Sequence, residues 1–255
     1  MNFRIRFATA LWASSIHLLC SLGVVAMVAL LVFFVWYPYP YGDLSEGRSL
    51  FFLLVSVDVV CGPLLTLVLF NKAKPRAELK RDLGLVVLIQ LLALAYGVSA
   101  VWQARPLFLV YEIDRFKVVA APYVDGTALA ALPAQLAPTL LSGPITVGVR
   151  ELMDLQERNS VLFESVAGGR DYAERPEFYM AYGEQMAVKA LNRAKPLSDF
   201  LRKYPIQQAQ AQALAKAQGI ELNDMTYLPV IARQDWIALL DSRGQIKGFL
   251  KGDGF

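Results

Sequence analysis

The sequence predicts a membrane protein in which three transmembrane α-helices are followed by an extracytoplasmic α+β domain with a small antiparallel sheet. Hydrophobic residues make up 56% of the 255 residues and charged residues only 18%, with a mean hydropathy of +0.41. Soluble domains are typically about 45–50% apolar and 25% charged. The excess of apolar residues lies in three long runs before residue 105, after which the composition becomes that of an ordinary folded domain.

Each run is long enough to cross a bilayer, which takes about 20 apolar residues. No formal charge occurs between Arg6 and Asp43, the second run is broken only by Asp58, and the third contains no charge. We therefore predict spans at residues 11–36, 50–70 and 83–104, in a membrane domain 1–104 followed by a domain 105–255. The first run is longer than the apolar part of a signal peptide and so indicates an uncleaved anchor.

Basic residues predict the orientation of the spans, because Lys and Arg are enriched in cytoplasmic loops. Arg4 and Arg6 precede the first span, and residues 71–82 contain five basic residues, whereas the loop between the first two spans has only Arg48. The N-terminus is then cytoplasmic, and the domain 105–255 lies outside the cytoplasm. Five aromatic residues are expected to form a belt at the outer interface, and Trp12 is expected near the other interface. The five are Trp36, Tyr37, Tyr39, Tyr41 and Trp102.

The distribution of residue types excludes several kinds of chemistry. The only histidine is His17 and the only cysteines are Cys20 and Cys61, all inside apolar runs. After residue 104 the chain therefore has no His-dependent nucleophile, no disulfide and no zinc site built from His or Cys. That part also has 17 basic and 17 acidic residues, without the basic excess of a nucleic-acid binder. The sequence predicts no catalytic residues, no metal, no cofactor and no nucleic-acid partner.

Asp58 is the most costly residue of the predicted spans, because an ionisable side chain at membrane depth needs a partner or a proton. With a helical rise of about 1.5 Å per residue, His17 and Asp58 lie at similar depths, roughly 16–18 Å from the cytoplasmic ends of their spans. Gln90 and Tyr96 bracket this level. We predict a polar core of His17, Asp58, Gln90 and Tyr96, which either contacts a partner or forms an internal His–Asp hydrogen bond that fixes helix packing.

Two further residues of the second span have predictable effects on the helix. Pro63 cannot donate to the carbonyl of Val59, and its ring crowds that turn, so a kink is expected there. Gly62 has no side chain and allows a neighbouring helix to approach.

The domain 105–255 shows a mixture of strand and helix patterns. Strand-like runs and helical spacing alternate, and Gly219 is suited to end a helix. Two β-rich pairs predict a hairpin near its start and an antiparallel meander at its end. The expected strands are 107–111, 116–121, 145–149, 226–231, 236–240 and 246–250, and the expected helices are 151–163, 178–194, 197–204 and 206–218.

Several short motifs together resemble one family, the TfpX/TfpZ (FimB-like) type IV pilin accessory proteins. The similarity covers the three spans, the first strands and the closing segment 235–241. The motifs are Ser15-Ile16-His17-Leu18-Leu19, Phe34-Val35-Trp36-Tyr37-Pro38, Val57-Asp58, Gly62-Pro63-Leu64-Leu65-Thr66, Gln103-Ala104-Arg105-Pro106 and Asp114-Arg115-Phe116.

The resemblance implies a multi-pass protein of a Gram-negative inner membrane, with its C-terminal domain in the periplasm, that assists assembly or surface display of its cognate major pilin. It implies the type IV major pilin, other pilus assembly components and membrane lipid as partners, and no catalytic residues. We expect the region of His17 and Asp58, or the helix surface, to engage the apolar helix of the pilin, and the C-terminal domain to contact the pilin head.

Other functions stay open at the level of sequence. A membrane sensor with a periplasmic ligand-binding domain would need a signalling partner, since the short cytoplasmic segments leave no output domain. A small proton-coupled transport subunit would use Asp58 and would have to oligomerise. An envelope enzyme is disfavoured by the absence of His and Cys after residue 104.

Overall fold

The computed structural model describes residues 3–45 and 47–255. These residues divide into two compact units. Among the described residues, the helical unit contains residues 3–35 together with Gly47–Gln103. The sheet unit contains Ala104–Phe255 and also residues 36–45, here named the connecting segment. The connecting segment thus groups with the C-terminal part of the chain and not with the helices that flank it.

The helical unit consists of three long apolar helices, as the sequence predicted. They are α1 (Phe3–Leu31), which continues as a π-helical turn over Val32–Trp36, α3 (Gly47–Leu69) and α4 (Arg76–Gln103); the short α2 (Tyr41–Leu44) belongs to the connecting segment. All three are long and apolar enough to cross a membrane. Helix α4 begins earlier than the third predicted span, because residues 76–82 are good helix formers that directly follow Pro75.

Helix α3 is central to the helical unit, since both α1 and α4 pack against it. Glycines bring α3 and α4 close together. A Cβ atom on Gly97 would lie 1.9 Å from Leu54 Cδ1, and one on Gly62 would lie 1.9 Å from Gln90 Nε2. The predicted role of Gly62, to let a neighbouring helix approach, agrees with this packing.

The sheet unit is built on one mixed sheet with the strand order β4-β3-β1-β2-β6-β7-β8, and β5 pairs additionally with β6. Its helices cover both faces. The strands are β1 (Pro106–Glu112), β2 (Arg115–Ala120), β3 (Ile145–Val149), β4 (Tyr179–Ala181), β5 (Lys195–Pro196), β6 (Thr226–Ile231), β7 (Trp236–Leu240) and β8 (Ile246–Lys251), and the helices are α5 (Gly126–Ala130), α6 (Leu155–Val166), α7 (Glu184–Leu191), α8 (Leu197–Lys203) and α9 (Gln208–Gln218).

The predicted small antiparallel sheet is wrong in size and in pairing. The hairpin β1–β2 and the meander β6–β7–β8 are antiparallel as expected. However, β1 pairs with β3 and β2 pairs with β6 in parallel, which joins all strands into one mixed sheet. This pairing satisfies backbone groups that two separate small sheets would leave open at their edges. Every residue of β1 and β7 is buried, as expected for strands covered on both faces.

The predicted helix 178–194 is also wrong in its first part. Residues 179–181 form the edge strand β4, which pairs with β3, and α7 begins only at Glu184 after Gly183. Pairing with a strand distant in sequence outweighed the local helical spacing. In contrast, β3 has the predicted bounds, and α9 ends at Gly219, which adopts the left-handed conformation (φ 65°).

The connecting segment contributes to the core of the sheet unit. Tyr41 and Leu44 pack with residues of β1, β6 and β7 beneath α7, and the Arg233 amide donates to the Leu44 carbonyl at 3.2 Å. Trp36 Nε1 donates to the Leu140 carbonyl at 2.9 Å. Trp36, Tyr37 and Tyr41 are buried and only Tyr39 is exposed. The expected aromatic belt is therefore wrong for these three residues, whose rings are buried within the protein; Tyr41 belongs to the core of the sheet unit.

Candidate functional site

The most distinctive site of the helical unit is a cleft of about 430 Å³ lined by α1, α3 and α4. Its walls are mainly apolar side chains of α1 and α4. Five polar side chains also line it: His17 and Ser21 of α1, Asp58 and Thr66 of α3, and Gln90 of α4. Three of the four predicted polar-core residues therefore share one cleft.

His17 does not pair with Asp58, contrary to one of the two interpretations of the polar core. His17 Nδ1 instead forms a hydrogen bond with Thr66 Oγ1 at 2.5 Å. One turn before His17, the buried Ser14 Oγ donates to the Pro63 carbonyl at 2.8 Å. Polar contacts between α1 and α3 thus involve Ser14 and His17 on one helix and Pro63 and Thr66 on the other.

Asp58 is buried, and its side chain lines the cleft. Within the part of the chain that the structure describes, its carboxyl accepts no hydrogen bond and forms no ion pair. Gln90 Nε2 donates to the backbone carbonyl of Asp58 at 3.0 Å, and Gln90 Oε1 is buried without a hydrogen-bond partner. Two acceptor groups therefore lack a hydrogen-bond donor beside a cleft with mainly apolar walls, where unsatisfied polar atoms are costly.

Gly62 and Pro63 of α3 form part of the contacts with the neighbouring helices α4 and α1. Because Gly62 has no Cβ, the Gln90 side chain reaches α3 and bonds to the carbonyl one turn earlier. Pro63 lies inside α3, and its carbonyl accepts the hydrogen bond from Ser14. The kink predicted from Pro63 stays a prediction.

Tyr96 does not belong to the cleft, because its side chain is 80% exposed on the outer surface of α4. Ser14 and Thr66 were not predicted, although the sequence contains a signal for both. Ser14 lies three residues before His17, and Thr66 lies eight residues after Asp58, spacings that place each pair on one helix face.

The arrangement can bind a largely apolar group. The cleft has mainly apolar walls, and the Asp58 carboxyl and Gln90 Oε1 could accept a hydrogen bond from such a group. Among the residues that the structure describes, no group of three or more His, Cys, Asp or Glu side chains could hold a metal ion. These features define a class of protein: a bundle of helices apolar enough to cross a membrane, with a largely apolar cleft among them, joined to a mixed α+β unit.

Comparison with known proteins gives the family. The model of the family of the fimbrial assembly protein FimB matches residues 5–46, which span most of α1 and the connecting segment. Two fimbrial assembly proteins of Dichelobacter nodosus, of serogroups I and E1, are each 34% identical to the chain over 98% of both lengths. Another, of serogroups C1 and C2, is 45% identical over 114 residues, which are 45% of the chain and 87% of that relative. No solved structure matches.

The chain therefore belongs to the FimB family of fimbrial assembly proteins. Membership supports a role in the biogenesis of fimbriae or pili and association with pilus components.

Proposed function

We propose that the protein assists assembly of a type IV pilus by holding its cognate major pilin in the bacterial inner membrane before incorporation. In this proposal the apolar helix of the pilin occupies the cleft between α1 and α4, and the sheet unit contacts the pilin head in the periplasm. The proposal rests chiefly on one observation, the apolar cleft in which the Asp58 carboxyl and Gln90 Oε1 have no hydrogen-bond partner among the described residues.

The cleft has the chemistry that association of helices in lipid requires. Apolar surface alone gives little driving force there, because lipid tails are as apolar as the side chains, so packing and hydrogen bonds between helices decide the association. A pilin helix with a polar group near its start would donate a hydrogen bond to Asp58 or Gln90 while its apolar side chains pack against α1 and α4. Lipid would occupy the cleft when no pilin is bound.

The proposed orientation has the N-terminus and residues 71–82 in the cytoplasm and the sheet unit in the periplasm. It follows from the excess of Lys and Arg at the cytoplasmic positions. Alkaline phosphatase, which is active only in the periplasm, is expected to be active when fused after Phe255 and inactive when fused after Lys74. The reverse pattern would contradict the orientation.

Site-specific photo-crosslinking tests whether the cleft holds the pilin. Leu91 lines the cleft, whereas its neighbour Leu92 does not, and both side chains are more than half exposed. A photoreactive residue at Leu91 is expected to crosslink to the co-expressed cognate pilin, and one at Leu92 is not. Ile16 and Leu19 of α1 form a second matched pair, in which only Ile16 lines the cleft. Equal crosslinking at cleft and control positions would contradict the proposal.

Substitutions in the cleft test the polar contacts. His17→Ala and Asp58→Asn are expected to reduce piliation and co-purification of the pilin, while Ser56→Ala, at an exposed position of α3, is not. If both cleft variants are stably expressed and piliation and pilin recovery are unchanged, the membrane part of the proposal is wrong.

A proton-coupled transport subunit is a second candidate, favoured by the position of the Asp58 carboxyl in the cleft without an ion pair. The two functions give different results for one variant. Loss of piliation by Asp58→Asn with normal pilin crosslinking at Leu91 would favour proton coupling, whereas simultaneous loss of both would favour binding of the pilin.

A further inference from the structure

The sheet unit contains a second cavity, of about 630 Å³, beyond the carboxyl ends of β1 and β3. These two strands are adjacent and parallel. Helix α7 borders the cavity with Met186 and Lys189, and α6 borders it with Arg158. Open sheets with parallel strands commonly bind ligands at this position, outside the carboxyl ends of the strands. We name this cavity the strand-end crevice.

The strand-end crevice is positively charged although the chain from residue 105 onward is neutral. Arg158, Lys189 and Arg193 line it, against the single acidic residue Glu151, which pairs with Lys189 at 2.6 Å. Within the described part of the chain, neither the Arg158 nor the Arg193 guanidinium forms an ion pair or a hydrogen bond. Two guanidinium groups therefore remain available for an anionic ligand, and their planar forks suit carboxylates.

Apart from Asn192, the remaining lining is aromatic and apolar, and it includes a strained residue. Tyr111, Val149 and Met186 are buried, whereas Ile113 is 66% exposed. Ile113 has φ 53°, a left-handed conformation that is unfavourable for a β-branched residue. Tyr111 Oη donates to the Ile113 carbonyl at 2.9 Å and holds this turn in place. Strained residues of this kind concentrate at binding sites.

We propose that the strand-end crevice binds an acidic peptide segment of a partner protein. Arg158 and Arg193 bind its carboxylates, and an apolar side chain of the same segment packs between Ile113 and Met186. The combination of cationic and apolar lining favours a peptide over a free inorganic anion, which would leave the apolar surface uncovered. This proposal does not depend on the cleft of the helical unit, so the two fail or succeed separately.

The test uses the full chain in micelles of an uncharged detergent and a fluorescein-labelled peptide of sequence Glu-Glu-Leu-Glu-Glu, followed by fluorescence anisotropy. Saturable, salt-sensitive binding is expected. The double variant Arg158→Glu/Arg193→Glu is expected to weaken binding by about tenfold or more, because each reversal turns attraction into repulsion. The double variant Arg202→Glu/Lys216→Glu, on α8 and α9, makes the same change of charge outside the crevice and is expected to bind as the parent does.

Several results would overturn the proposal. They are the absence of saturable binding by the parent, equal weakening by the two double variants, and displacement of the peptide by inorganic phosphate at the same concentration of anionic groups. If the charge reversals unfold the protein, as shown by a lowered thermal unfolding midpoint, Arg158→Gln/Arg193→Gln replaces them. That variant is expected to weaken binding too, and unchanged binding would equally overturn the proposal.

Discussion

The charge of Glu112 is expected to make the stability of the sheet unit depend on pH. Its carboxyl is buried at the end of β1, and burial raises its pKa to about 6. The nearby Asp171 and Asp114 also raise this pKa, whereas Lys117 and Arg115 lower it. Because Lys117 is already paired with Asp171 at 2.8 Å, it compensates the burial of Glu112 only in part.

The raised pKa of Glu112 predicts a loss of stability with rising pH. Between the ordinary pKa near 4.5 and the folded value near 6 the native state binds more protons than the unfolded state, so the free energy of unfolding falls as pH rises through this window. The expected loss is roughly 2 kcal/mol. Glu112→Gln is expected to remove it and to stabilise the protein at pH 7.5, as measured by urea unfolding of the full chain in micelles. An unchanged pH dependence in Glu112→Gln would contradict the assignment.

Replacement of Ile113 is expected to make the protein more stable. Its left-handed conformation costs about 1–2 kcal/mol for a branched side chain, and its exposure means that little buried apolar surface would be lost. Ile113→Asn is expected to raise the free energy of unfolding by up to about 1 kcal/mol, because Asn tolerates this conformation. Ile113→Ala is the control and is expected to gain less, because Ala lacks the short polar side chain that can hydrogen-bond locally and so favours this conformation in Asn. Equal stability of the Asn and Ala variants would show that strain at residue 113 is not released.

At the scale of elements, the α3–α4 contact depends on the absence of a side chain at Gly62. Gly62→Ala would place a Cβ atom 1.9 Å from Gln90 Nε2, so the Gln90 side chain must leave its bond with Asp58. We expect a loss of roughly 1–3 kcal/mol in the stability of the helical unit, the usual range for overpacking. Denaturation with sodium dodecyl sulfate, starting from mild micelles, measures this loss.

Two matched variants decide whether the loss comes from this contact. Gly84→Ala in α4 meets no atom within 4 Å and is expected to be neutral. Gln90→Ala added to Gly62→Ala removes the clashing side chain, so the double variant is expected to recover most of the stability. If the double variant is less stable than Gly62→Ala, the loss of stability does not come from the contact between residue 62 and Gln90.

The same elements show what local sequence could and could not predict. Apolar length predicted the three helices, and spacing with turn residues predicted β3, α9 and the meander. The parallel pairs β1–β3 and β2–β6 join residues far apart in sequence, which periodicity does not report. Strand β4 was missed for the same reason, since its partner β3 lies about 30 residues earlier.

Counting depth along the predicted helices identified part of the candidate site, but it did not give the helix face to which each side chain points. Gln90 and Tyr96 lie at nearby depths, but six residues turn a helix by about 600°, which points the two side chains to different faces. The internal His17–Asp58 bond, one of the two interpretations of the polar core, is wrong because equal depth was counted from assumed helix ends. His17 bonds to Thr66, which lies eight residues and about 12 Å along the helix from Asp58.

At the scale of the whole molecule, the chain passes between the two units three times: after Val35, before Gly47 and after Gln103. The connecting segment is therefore held at both ends by α1 and α3 while its side chains complete the core of the sheet unit. Arg105 and Tyr37 are buried in the sheet unit. Burial lowers the pKa of Arg105 to about 10 and raises the pKa of Tyr37.

This architecture predicts that the sheet unit is less stable without the connecting segment. Leu44 is fully buried in the core with Tyr41, so Leu44→Ala is expected to destabilise the sheet unit by about 2–5 kcal/mol. Tyr39→Ala, in the same segment but at an exposed position, is expected to change little. Urea unfolding followed by tryptophan fluorescence, to which the buried Trp36 and Trp236 of the sheet unit contribute, measures both effects. A fragment of residues 104–255 should accordingly unfold at lower urea than the full chain, because the core surface that Tyr41 and Leu44 cover would face water. If that fragment is as stable as the sheet unit in the full chain, the connecting segment only links the helices, and its burial contributes nothing to the fold.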